Sequence, residues 1–187
     1  LSLWLPAFML AGYFGPLYVG LFGMADRLLD RPFKLLANGL GAVYFPTASQ
    51  AFIEGKSVKL MALYKKILFR LTALFIPMFA AVFFLGPWLA DTFLDSKWEG
   101  VGEVVQILVF IKFFQVLNNP FSKTFLILNK QELAFILIAF SVAIRFVSMY
   151  LFREDPIDML WAFSISGAAF YAIYNFFIYR SIQRHSN

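Results

Sequence analysis

The residues here whose types and spacing could do chemistry are charged and amide side chains set inside apolar stretches. Asp26, Arg27, Asp30, Arg31 and Lys34 recur at helical spacing. At ~100° per residue they share an arc of about 140°. Leu28, Leu29, Phe33, Leu35 and Leu36 fill the remainder, and Asn38 and Gly41 continue the polar face. A second stripe holds Lys112, Gln115, Asn119, Ser122 and Lys123, with Asn118 at its edge and Pro120 inside it. Arg145, with Ser141 and Ser148 on its face, is a third feature. Charges at membrane depth must face a bundle interior or water, or snorkel to headgroups. The first stripe therefore has two readings, a hydrophilic cavity wall or interfacial ion pairs of Asp26 and Asp30 with Arg27 and Arg31. The second reads as a cavity lining or as a structural kink at Pro120 covered by Asn and Ser. Arg145 reads as an anion contact or as a snorkelling side chain. The cations Arg27, Arg31, Lys34, Lys112 and Arg145 outnumber the acids at depth, a balance that suits an anionic passenger, because guanidinium groups grip phosphate oxygens in a fork. The candidate substrate-binding residues are Arg27, Asp30, Arg31, Lys34, Lys112, Asn119 and Arg145.

Other chemistry is poorly served. No pair of carboxylates has acid–base spacing, no cluster has metal-ligand spacing, and there is no phosphate-cradling glycine loop or Ser/His arrangement. Cys is absent, which removes disulfides and thiolate sites. His185 stands alone in a polar tail and takes no role. The expectation is a non-enzyme with no cofactor and no metal.

These side chains need elements that hold them in lipid. Of 187 residues, 61% are hydrophobic, 20% aromatic and 14% charged, with 25 Phe. A soluble domain of this length cannot bury so many rings, and the composition points to a bilayer. A membrane-crossing helix takes about 20 mostly apolar residues. Six segments meet or approach that length, at about 1–20, 21–52, 67–89, 101–128, 133–152 and 159–179. The stretch 24–34 fits an outer loop or part of a long second helix. The helix is preferred, because three basic residues outside would break the charge alternation.

That alternation orients the spans. Lys56, Lys59, Lys65, Lys66 and Arg70 crowd the entry to the third span, and Asp91, Asp95, Glu99 and Glu103 its far end. Lys123 and Lys130 precede the fifth span, Glu154, Asp155 and Asp158 follow it, and Arg180 and Arg184 close the chain. Positive-inside topology places the C-terminus in the cytoplasm, and Trp88, Trp98 and Trp161 form an outer aromatic belt. The net charge of +5 is better explained by this topology than by nucleic-acid binding.

The run Val19-Gly20-Leu21-Phe22-Gly23-Met24-Ala25-Asp26-Arg27-Leu28-Leu29, then Pro32 and Tyr44-Phe45-Pro46-Thr47-Ala48-Ser49, resembles the seventh-to-eighth helix region of polysaccharide flippases. These are the O-antigen and exopolysaccharide exporters of the multidrug/oligosaccharidyl-lipid/polysaccharide (MATE-like) superfamily. Phe93-Leu94-Asp95-Ser96-Lys97-Trp98 looks like that family's outer loop, usually Phe-Gly-x-x-Trp, with Asp95 or Ser96 where Gly is common. Leu126-Ile127-Leu128-Asn129-Lys130 resembles the short turn between the tenth and eleventh helices.

The resemblance implies an all-α, polytopic protein of two bundles facing each other across a cavity. Residues 1–187 would form the second, C-terminal six-helix bundle, and the start at an apolar Leu1 fits the later part of a longer protein. It implies flipping of polyprenyl-pyrophosphate-linked oligosaccharide across the cell (cytoplasmic) membrane by alternating access, in contact with membrane lipid and with glycan polymerases as partners. A multidrug antiporter of the same superfamily would want cavity carboxylates for cationic drugs, whereas the deep charges here are mainly basic. A polyprenyl-dependent ligase or acyltransferase would want a loop His or acid, and a scaffold of envelope assembly would need no intramembrane cations.

Overall fold

The computed structural model describes residues 4–95 and 98–184, except for the side chains of Pro32, Leu35, Leu36, Leu40 and Asp91. Ser96 and Lys97 of the outer-loop motif, and His185, lie outside the described residues. The described chain is helical throughout, and the polytopic all-α class expected from composition is the one it has.

Helix α1 (Leu5–Phe14) is 10 residues long, roughly 15 Å, about half of a hydrocarbon core. It stops at Gly15, whose φ of 82° and ψ of −174° lie in a region open essentially to glycine alone. Pro16 then starts α2 (Pro16–Ile53), where a fixed φ and a missing N–H do no harm. The expected first span, 1–20, is thus split between two helices, because Gly15 and Pro16 interrupt an apolar run that composition alone reads as continuous. Helix α2 has 38 residues, roughly 57 Å. It carries residues 26–34 as uninterrupted helix, so the outer-loop alternative is excluded.

Helix α3 (Ser57–Phe93) contains Pro77 and Pro87. Pro87 cannot donate to the carbonyl of Phe83, one turn earlier. Gln106, on the next helix, donates its Nε2 to that oxygen at 2.8 Å. Neighbouring side chains satisfy freed carbonyls in this way where no water is present. Close by, a Cβ on Gly102 would fall 2.6 Å from the Pro87 Cα, so only a glycine lets α3 and α4 meet there.

Helix α4 (Val101–Asn118) gives way at Pro120 to a 3-10 turn (Asn119–Phe121) and the short α5 (Thr124–Ile127). The break expected at Pro120 is therefore a helix end and not merely a bend. It is held by Phe121, fully buried against the rings of Tyr44 at 4.9 Å and Tyr64 at 4.6 Å. Tyr44 also pairs with Thr124 at 3.0 Å, and Tyr64 donates to the Asn175 carbonyl at 3.3 Å. Helix α6 (Gln131–Leu151) and α7 (Pro156–Arg184) complete the bundle. Asp155 caps α7, accepting from the backbone N–H of Ile157 at 2.7 Å and Asp158 at 3.1 Å.

Helix α4 is the centre, packed on α2, α3 and α7, whereas α6 lies outside against α7. The Ser164 hydroxyl of α7 donates to the Ile107 carbonyl at 2.5 Å and accepts from the Ile111 N–H at 3.3 Å. It bridges one i→i−4 pair of α4 and pins the two helices together. The outer faces of α3 and α6 expose Phe69, Ile76, Phe84, Phe135, Phe140 and Val147, an arrangement that water disfavours and hydrocarbon does not. Among the described residues, four helical stretches are long and apolar enough to cross a membrane: Ser57–Ala90, Val101–Ile127, Gln131–Leu151 and Pro156–Arg184. Helix α2 has the length but carries the charged stripe.

Candidate functional site in the seam between α2 and α4

Asp26 and Asp30 sit one turn apart on α2 and turn toward α4. Lys112 reaches between them, its Nζ 2.6 Å from the Asp26 Oδ1 and 3.0 Å from the Asp30 Oδ1. Lys34, one turn further, meets the other oxygen of Asp30 at 3.2 Å. The side chain of Lys112 is 4% exposed, against 34% for Asp26, 28% for Asp30 and 51% for Lys34. The cluster thus runs from a buried ammonium out to an open face. Its two acids and two bases neutralise one another, as charges removed from water must. Lys112 lies roughly 16 Å along α4 from Val101, inside the stretch Val101–Ile127 that is long and apolar enough to cross a membrane.

Two turns down α2, Asn38 accepts a hydrogen bond from the Asn119 amide at 2.8 Å. The seam then opens into a cavity of about 340 Å³ lined by Asn38, Gly41, Phe45, Asn119, Ser122 and Lys123, among others. Asn119 and Ser122 also line a second cavity of about 310 Å³, with Gln115, Asn118, Ser141, Tyr171 and Tyr174. Amide and hydroxyl groups over aromatic rings can hold polyhydroxylated molecules, since both donors and acceptors are present.

The sequence-derived candidates therefore divide. Asp30, Lys34 and Lys112 come together, and Asn119 joins the same seam through Asn38. Arg27 and Arg31 are exposed on α2, while the acids that the sequence offered them as partners turn to Lys112 and Lys34. Arg145 is buried to 1% exposure, so snorkelling to the headgroups is not what it does. Its guanidinium lies 5.7 Å from the ring centre of Phe163 and 5.4 Å from those of Phe170 and Tyr171, a cation–π nest on α7. Beside the nest, Gly167 makes room for Ile111 of α4, since a Cβ there would fall on the Ile111 side chain. Sequence reasoning left Asp26 out of the candidate set, although it makes the shortest ion pair to Lys112. The available signal was partial: two acids at i and i+4 on one helical face, with nothing to name the cation between them. Asn38 and Tyr171 were noted only as polar-face or packing residues.

A family model described as polysaccharide biosynthesis protein matches residues 4–103. The chain belongs to that family. The matched stretch takes in α1, α2 and α3 and the first residues of α4, and so includes Asp26, Arg27, Asp30, Arg31, Lys34 and Asn38 of the site. No curated protein and no solved structure matches. A multi-pass membrane protein of polysaccharide biosynthesis is thus established, in agreement with the flippase-like motifs of its sequence.

Proposed function

We propose that this protein moves a lipid-linked oligosaccharide, carried on polyprenyl pyrophosphate, across the cytoplasmic membrane by alternating access, with no chemistry on the passenger. Residues 1–187 would be one bundle of a two-bundle transporter, with the C-terminus cytoplasmic and α2 facing the cavity between bundles. The observation that carries the reading is the division of the cations at the seam of α2 and α4. Lys112 of α4 is already neutralised by Asp26 and Asp30, whereas Arg27 and Arg31 stand exposed on α2. An anion entering the cleft would meet those guanidinium groups and Lys34, which suit a pyrophosphate. Asn119 and the amide-lined cavities beside it would take sugar hydroxyls. Arg145 would act from inside, holding the aromatic wall of the second cavity. A cation exporter of the same superfamily is disfavoured, because both deep carboxylates of the seam face Lys112.

The test is export in cells. Replacing both Arg27 and Arg31 with Ala should reduce surface glycan at least tenfold while membrane abundance stays normal. Undiminished export from that double variant would remove the anion-contact role of α2.

A further inference from the structure

A second cationic cavity lies away from the seam, where α6 begins and α7 ends. It encloses about 480 Å³ and is lined by Lys130, Arg180, Arg184, Leu133, Phe176 and Phe177, among others. Among the described residues, no carboxylate lines it. The neighbouring acid, Glu132, is exposed. Arg180 is held at the wall by the ring of Phe176, 5.5 Å from its guanidinium carbon. Lys65, near the start of α3, stands over Tyr179 at 5.6 Å, so this end of α7 shares its side with the basic turn between α2 and α3. About one turn away from the cavity's Leu133 and Phe176, Ile136 on α6 and Ile173 on α7 are exposed, as is Phe176 itself.

We propose that this cavity binds the phosphate headgroup of an anionic bilayer phospholipid, whose acyl chains lie along the exposed faces of α6 and α7. Three features favour that occupant over a soluble anion or a peptide. Three cations converge on one concavity, as a phosphate diester needs. The concavity is at the helix ends, at headgroup level, where basic pockets between membrane helices take such lipids. Its lining includes Leu133, Phe176 and Phe177, and Phe176 is itself exposed on the outer face of α7. The site is separate from the seam of Asp26, Lys112 and Asn119, and does not depend on what the protein transports.

The experiment is native mass spectrometry of the purified full chain in detergent micelles, titrated with phosphatidylglycerol, phosphatidylethanolamine or inorganic phosphate. Phosphatidylglycerol should be retained in preference to phosphatidylethanolamine. Phosphate alone should not be retained, because it lacks the acyl contribution. The double variant Arg180→Gln/Arg184→Gln should weaken retention of phosphatidylglycerol roughly 30-fold. Lys59→Gln/Lys66→Gln, which removes the same charge from the exposed start of α3, should leave retention unchanged. Arg180→Lys/Arg184→Lys should keep most of the retention and serves as the control for folding. Equal retention of the two phospholipids, or equal loss in both Gln variants, would overturn the assignment. So would retention of inorganic phosphate as strong as that of the lipid.

Discussion

Lys112 is buried in a place where an isolated ammonium would be prohibitively costly, and two carboxylates meet it there. Removing Lys112 takes from Asp26 its closest cation and leaves Asp30 with Lys34. Lys112→Met should therefore destabilise the protein by about 3–5 kcal/mol, seen as a lower melting temperature in detergent. Adding Asp26→Asn and Asp30→Asn to that variant should recover most of the loss, since a neutral, hydrogen-bonded seam carries no desolvated charge. If the triple variant melts as low as Lys112→Met alone, packing and not charge is the role of this lysine. Arg145 behaves differently. Its guanidinium lies against three rings, so Arg145→Lys should lower stability although the charge is kept, because a compact ammonium does not stack as a guanidinium does; melting equal to that of the parent would contradict the nest.

The elements are fixed by a few backbone facts. Gly15 and Pro16 divide α1 from α2, Pro120 ends α4, and the Gly102 backbone rests on Pro87. The last contact leaves no room for a methyl group without displacing backbone. Gly102→Ala should accordingly push α3 from α4 and weaken the Gln106 bond to the Phe83 carbonyl, with an overpacking cost of about 1–3 kcal/mol. Membrane abundance of that variant should fall, and parental abundance and melting temperature would show that the two helices can separate freely. Much of this level was legible in the sequence. Apolar length announced the spans from the third onward, the proline marked the break after Asn118, and the stripe of residues 26–34 was helical as its spacing required. The division at Gly15 was missed because hydropathy averages over a turn signal of two residues.

At the scale of the whole molecule, helical faces were readable but their facing partners were not. Periodicity places Asp26, Asp30 and Lys34 on one side of α2, yet nothing in one dimension says that Lys112, on another helix, will lie between the two acids. For the same reason spacing alone offers Arg27 and Arg31 the nearest acids as partners and does not reveal the aromatic nest of Arg145. Burial then sorts cations of like type into internal struts, Lys112 and Arg145, and outward contacts, Arg27 and Arg31. The transport proposal needs the outward pair to face a wet cleft and not hydrocarbon. The chain contains no Cys, so a single introduced thiol reports on its own surroundings. In intact membranes, Arg31→Cys should react with a membrane-impermeant maleimide, while Phe135→Cys, on the exposed apolar face of α6, should not. An Arg31→Cys thiol as inert as that at position 135 would contradict the account.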